Sequence, residues 1–432
     1  MTRVRPREKF LQNLANKQLK ARANGPTCCI ATSTMRRTLP MNADSAAVSS
    51  PFSNAPQSVL VLQGGGALGA YQAGVYEALT AEGHAPDWVT GISIGAINAA
   101  IIAGNAPEER VGKLRAFWDG VSHELLYRLD AGNGFARRAF NETSAALAAT
   151  FGVPGFFTPR LPVPLPEWPD ELGRLSFYDT APLRQTLLNL VDFDRINRGE
   201  TRFSVGAVNM MTGNFVYFDN QSENGQNERR IGPEHIMASG ALPPGFPPVE
   251  IDGEWYWDGG LVSNTPLQYV LDNRSPCEMT VFQVDLFPSR GAVPKTMADI
   301  AQREKDIRFS SRTRLNTDLS KRLQDMRAAA QRLSHKLPPE LRDDPDLHQL
   351  LGCRPAGAVA VMHLINRPRG YETMSKDYEF SRMTVTEHWK AGKADAHSSL
   401  RDARWTDRQL KPDEIMTFDL AGTRAKRPNN EE

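Results

Sequence analysis

The sequence predicts an α/β fold, a parallel sheet with helices on both faces, joined to a mostly helical C-terminal extension. Three observations carry this. Between Val59 and Asn105 a strand-like apolar run, a glycine turn and a helix with an apolar face occur twice in tandem. The two units read SVLVLQ-GGGALG-AYQAGVYEAL and APDWVT-GISIG-AINAAIIAGN. Such a βαβα start builds a parallel sheet. Its two glycine turns then fall side by side at the carboxyl ends of neighbouring strands, where open α/β sheets bind ligands. Downstream, Thr280 to Leu286 (TVFQVDL) reads as a buried strand, the last of the main sheet. After Pro294 the composition shifts to a long charged stretch, Lys295 to Lys336, with helical spacing.

The first glycine turn, Gly64-Gly65-Gly66-Ala67-Leu68-Gly69, fits G-x-G-x-x-G. A dinucleotide site would need an acidic residue ending the second strand, about 20 residues on. Glu82 and Asp87 lie near that distance, but Asp87 precedes the run Trp88-Val89-Thr90 instead of ending it. A nicotinamide-binding reading is therefore disfavoured, and glycines that merely tighten a turn are the plain alternative.

The second turn, Gly91-Ile92-Ser93-Ile94-Gly95, is G-x-S-x-G between a short β run and a small-residue helix. That is the context of a nucleophile elbow, which holds its serine on a strained strand-to-helix turn. Ser93 then sits at a helix N-terminus, whose field favours developing negative charge. The N–H groups around Gly65 and Gly66, with that of Ile94, can form an oxyanion hole. A serine nucleophile needs a base, and Asp258 in Trp257-Asp258-Gly259-Gly260 is the best candidate. By itself that tetrapeptide reads as a plain Asp-Gly hairpin turn.

Together the blocks GGGALG, GISIG and DGG, in this order, resemble the patatin-like phospholipases. These are lipid acyl hydrolases with a Ser-Asp dyad in place of a Ser-His-Asp triad. The intervening stretches Tyr178 to Arg184 (YDTAPLR) and Ala238 to Val249 (ASGALPPGFPPV) are also similar to that family. The resemblance covers residues 57–290 and implies a three-layer patatin-like sheet. It makes Ser93 the nucleophile and Asp258 the base, with Gly64, Gly65, Gly66 and Gly69 as the oxyanion loop. Gly91, Ile94 and Gly95 shape the elbow, and Asp258, Gly259 and Gly260 form the DGG motif. It implies a lipid or ester substrate and no metal or cofactor. One position departs from the family pattern: Leu68 stands where the glycine loop often carries a basic residue, which pulls toward lipids or esters without a phosphate.

Three segments are expected in the 432 residues: a basic, disordered leader (1–56), a catalytic domain (57–290) and an extension (291–432) with one strand near 358–365. The extension resembles one of unassigned function carried by some bacterial patatin-like proteins. The leader is acid-poor, and no apolar stretch follows its early charges as a secretory signal requires. Net charge is +1, from 51 basic and 50 acidic residues, so composition gives no hint of nucleic-acid binding. No apolar run reaches the roughly 18 residues of a membrane span. Four scattered cysteines fit neither a disulfide framework nor a zinc site. A cytoplasmic protein with peripheral membrane contact is expected; oligomeric state is not encoded.

The remaining elements are less sharply marked. Residues 151–169 combine Phe151, Phe156, Phe157 and Trp168 with six prolines, which forbid a helix or central strand. The stretch reads equally as a packed surface loop or as an apolar rim over an acyl pocket. Leu183 to Val191 is helical in spacing, and Arg202 to Val208 with Asn214 to Phe218 reads as a hairpin. The run AVAVMHLI (Ala358 to Ile365) is strand-like and can extend the main sheet; a polar tail follows. Competing functions are a general esterase, a Ser-His-Asp hydrolase with His363 as the best-placed histidine, and a membrane-associated scaffold whose serine is vestigial.

Overall fold

Alternate residues of strand β1 (Gln57–Leu62) enter different cores. Leu60 and Leu62 join a large cluster on one face, while Val59 and Val61 join a smaller one on the other. That period of two marks a strand buried on both sides. The computed structural model describes residues 56–123, 134–162, 171–221, 230–274, 277–311, 313–342, 344–351, 357–411 and 414–421. The expected leader, all but Pro56, lies outside them, as do Trp168 and three of the six prolines.

The other strands are β2 (Trp88–Gly91), β3 (Thr158–Pro159), β4 (Tyr178–Asp179), β5 (Arg202–Asn209), β6 (Phe215–Asp219), β7 (Val249–Ile251), β8 (Glu254–Asp258), β9 (Met279–Asp285), β10 (Val359–Ile365) and β11 (Ile415–Asp419). Among the described residues β3 and β4 pair only with each other, and nine strands form the main sheet. Its order is β11-β10-β9-β1-β2-β5-β8-β7, with β6 on β5. From β11 to β5 every pairing is parallel; β6, β7 and β8 are antiparallel.

Helices cover both faces, so the fold is the expected three-layer α/β arrangement with a mostly helical C-terminal part. Ala70–Ala81, Ile94–Ala103, Arg110–Gly120 and Arg382–Leu400 pack on the large core. Leu267–Asp272 covers the smaller one through Leu267, Val270 and Leu271. The sheet does not end at β9: β10 lies against it in parallel, and β11 against β10. The tail strand β11 escaped the sequence reading because it closes the sheet on one side. All of its residues are half-buried or exposed, so no apolar run marks it.

The C-terminal helix Arg382–Leu400 is clasped to Ala70–Ala81 backbone to backbone. A Cβ at Gly74 would stand 1.9 Å from the Trp389 carbonyl oxygen, and one at Gly392 would stand 2.0 Å from that of Tyr71. Tyr71 Oη donates to Asp395 (2.9 Å), and Trp389 Nε1 and Lys393 Nζ both donate to Glu77. Gly392→Leu has no room at this crossing and is expected to destabilise by about 3 kcal/mol or more, read by denaturant unfolding. An unchanged midpoint would show that the two helices are not held this closely.

Candidate active site

Strand β5 acts as the ruler of the site. Its Val205 pairs with Gly91 of β2 on one edge and Phe218 of β6 on the other. Two residues on, Ala207 pairs with Asp258 of β8 and Val216 of β6. Because β6 occupies one edge throughout, β2 and β8 share the other. They run toward each other, so their ends, Gly91 and Asp258, lie about 7 Å apart along β5.

Ser93 leaves β2 with φ 56° and ψ −122°. This is one of two positive-φ non-glycine residues among those described, and such backbone is held only by its surroundings. Here Ile92 N–H donates to the Leu62 carbonyl (3.1 Å) and Ser93 N–H donates to Ser239 Oγ (3.0 Å). Ser239 Oγ in turn donates to the Gly206 carbonyl of β5 (2.6 Å). The elbow also closes on itself. A Cβ at Gly91 would lie 2.3 Å from the Gly95 carbonyl, and one at Gly95 the same distance from the Leu62 carbonyl oxygen.

Asp258 is 3% exposed. Its Oδ1 accepts the Gly260 N–H at 2.6 Å, and the Ser93 side chain lies beside the carboxylate. Burial raises its pKa to about 7; the Gly260 N–H and the Ser93 side chain pull the other way without overcoming it. No cation enters that balance. The Asp-Gly hairpin turn is elsewhere, at Asp252-Gly253 (φ 54° and 81°) between β7 and β8. Asp258-Gly259-Gly260 instead opens a short 3-10 turn capped by the Asp258 side chain.

The glycine loop passes beside the serine. A Cβ at Gly64 would lie 3.2 Å from Ser93 Cβ and 2.3 Å from Asn264 Oδ1. Asn264 clasps this residue: its carbonyl accepts the Gly64 N–H (3.2 Å) and its Nδ2 donates to the Gly64 carbonyl (3.0 Å). The Gly64 amide is therefore committed, and Gly65 and Gly66 are the next amides of the loop. Gly66 needs its positive φ (55°), and Asp377 of the C-terminal part closes over it: a Cβ there would lie 2.2 Å from the Asp377 carbonyl oxygen. Gly69 serves by close approach, since a Cβ would lie 2.5 Å from Ile94 Cγ1.

Sequence reasoning missed the residues that hold these loops. Gln63 Oε1 accepts the N–H groups of Leu286 (2.6 Å) and Phe287 (2.9 Å), while its Nε2 donates to Thr265 Oγ1 (2.9 Å) and the Phe309 carbonyl (3.1 Å). Asn264 Nδ2 reaches the same Phe309 carbonyl at 2.9 Å. Ser239 lay inside the stretch ASGALPPGFPPV, but nothing local singled it out; a buried Ser, Asn or Gln shows its role only through its partners.

Other sequence candidates fall elsewhere. Leu68 is wholly buried in the large core. Phe156 and Phe157 are buried in an aromatic cluster with Tyr178, Phe246 and Phe380, so these two form no exposed rim, whereas Phe151 of the same stretch is exposed. His363 lies on β10, and β9 and β1 separate it from β2. At strand spacings of about 4.8 Å that is roughly 14 Å. Asp285, within the expected strand Thr280 to Leu286 and no catalytic candidate, ends β9 and accepts hydrogen bonds from Gln283 and Ser311, its pKa raised by burial.

Fold and site together define an α/β protein with a serine on a strained strand-to-helix turn, a buried carboxylate next to it and a glycine loop alongside. Residues 60–271 match the family model described as Patatin-like phospholipase, and residues 307–412 match one described as Patatin phospholipase. The chain belongs to the patatin-like phospholipase family. Among solved structures it is similar to the crystal structure of VipD from Legionella pneumophila. The identity is 13%, the TM-score 0.35, and the match covers 80% of this chain and 66% of that one, just under two thirds. Comparison with curated proteins returns no match.

Two neighbouring substitutions are expected to move stability in opposite directions. Ser239→Ala strips the Ser93 N–H of its acceptor and should cost about 1–3 kcal/mol. For Asp258 the folded pKa is raised, so its contribution is fully present below about 4 and lost as pH rises through about 7. Asp258→Asn removes that loss and should stabilise by up to about 4 kcal/mol at pH 8, with the gain vanishing near pH 3. Denaturant unfolding across pH checks both. A destabilised Asp258→Asn at pH 8 would contradict the account of its burial.

Proposed function

We propose that this protein is a lipid acyl hydrolase that cleaves carboxylic esters with a Ser93–Asp258 dyad. The observation that carries the reading is a buried carboxylate, its pKa raised to about 7, with the Ser93 side chain beside it on a strained strand-to-helix turn. A carboxylate of ordinary pKa is a weak base, and one raised to near neutrality suits general-base work. Membership of the patatin-like phospholipase family supports a lipid ester as substrate.

Asp258 takes the Ser93 proton as Oγ attacks the ester carbonyl. The tetrahedral oxyanion is received by the N–H groups of Gly65, Gly66 and Ile94, at the N-terminus of the Ile94–Ala103 helix, where the dipole favours negative charge. Asp258 returns the proton to the leaving alcohol, leaving an acyl-serine. Water, deprotonated by the same carboxylate, attacks the acyl carbon, and collapse frees the fatty acid and restores the Ser93 hydroxyl. These steps use only groups of this chain. No helix among the described residues is long and apolar enough to cross a membrane.

Ser93→Ala is expected to abolish both ester hydrolysis and labelling by a fluorophosphonate probe while the protein stays folded. Wild-type-like turnover by that variant would refute the dyad. The wild-type rate should rise with pH through about 7, because Asp258 must be ionised to accept the proton. A rate falling across that range would contradict the assigned base. His363→Ala should keep most of the activity; its loss, with Asp258→Asn still active, would instead favour a Ser-His-Asp arrangement.

A further inference from the structure

We infer that the C-terminal part of the chain builds the acyl-chain pocket of this site. The occupant is the long acyl chain of the lipid substrate, held between the loop after Gly260 and one face of the Met297–Phe309 helix. The inference rests on the Ser93–Asp258 reading and names where its substrate lies.

A cleft of about 940 Å³ opens beside the DGG motif, within the range that ordinarily holds a ligand of lipid-chain bulk. Gly260, whose N–H binds Asp258, lines it, as does Asn264, which clasps the glycine loop. The cleft therefore adjoins the candidate site. Its far wall is helical: Met297, Ile300, Ala301, Glu304 and Arg308 all line it. Their spacing of three, four, seven and eleven residues from Met297 puts them on a single helix face.

That face is divided. Its first half is apolar (Met297, Ile300, Ala301), and its second half carries Glu304, Lys305 and Arg308. The helix is anchored by its charged end, where the Phe309 carbonyl accepts from Gln63 and Asn264. The polar half thus stands nearest the glycine loop and the apolar half farthest from it. The two ends lie about 18 Å apart along the helix axis. An ester with its carbonyl at Ser93 and its hydrocarbon pointing away has the same polarity.

The mouth is apolar and open to solvent. Leu261, Val262, Met297, Ile300 and Met374 line the cleft and are each 47–78% exposed. Apolar side chains gathered around an open cleft mark a surface that meets a hydrophobic partner. Here the adjoining site makes that partner the substrate's own hydrocarbon.

The test uses the full chain carrying Ser93→Ala, so that binding is read without turnover, and a fluorescent long-chain fatty acid as probe. Saturable binding displaced by palmitate and not by butyrate is expected. Ala301→Trp, which fills the cleft, and Ile300→Asp, which charges it, should each weaken binding at least tenfold. In the active enzyme the same two changes should shift the preference for long-chain over short-chain esters at least tenfold toward short. No saturable binding, or binding unchanged by both variants, would overturn the pocket. Failure of the dyad reading would appear separately, as hydrolysis that survives Ser93→Ala whatever the fatty-acid binding.

Discussion

A carboxylate held out of water without a cation is the constraint on which this architecture turns. Burial of Asp258 disfavours its charged form, and the only relief comes from the Gly260 N–H and the Ser93 hydroxyl. An Arg or Lys beside it would stabilise the anion and make it a poorer base. The fold therefore keeps the carboxylate dry and neutral-prone, bonded to the Gly260 N–H. That arrangement costs stability wherever the pH ionises the group.

The second strained element is Ser93 itself, whose positive φ is kept by neighbours from several strands. Leu62 at the end of β1, Ser239 before β7 and Gly206 on β5 each hold part of the elbow. The C-terminal part is woven into the same support. The Phe309 carbonyl completes the Gln63 and Asn264 network, and Asp377 closes over Gly66. Lys376, itself buried, pairs with buried Asp306 at 2.6 Å. A buried ion pair of this kind is strongly destabilising to break by removing one partner, so it fixes the 376–378 turn where the glycine loop needs it.

Much of this was legible in the sequence, because its signals were local. Two glycine turns after apolar runs marked the strands β1 and β2 and the elbow, and the hairpin of β5 and β6 followed from alternation. The positions the sequence did not mark depend on distant partners. Ser239 and Gln63 act through backbone groups 33 to 246 residues away, which no spacing reveals. The aromatic stretch at Phe156 and Phe157 read equally as rim or packing, since composition does not say which side of a ring meets water. Strand β11 buries too little to leave an apolar signature.

The most direct measurement is the titration of Asp258 itself, by carbon-detected NMR of labelled aspartate carboxyls, with Asp258→Asn used to assign the signal. A midpoint near 7 is expected, moving higher in Ser93→Ala because the Ser93 hydroxyl beside the carboxylate favours the anion. A midpoint near the ordinary aspartate value of about 4, unchanged by Ser93→Ala, would contradict that expectation.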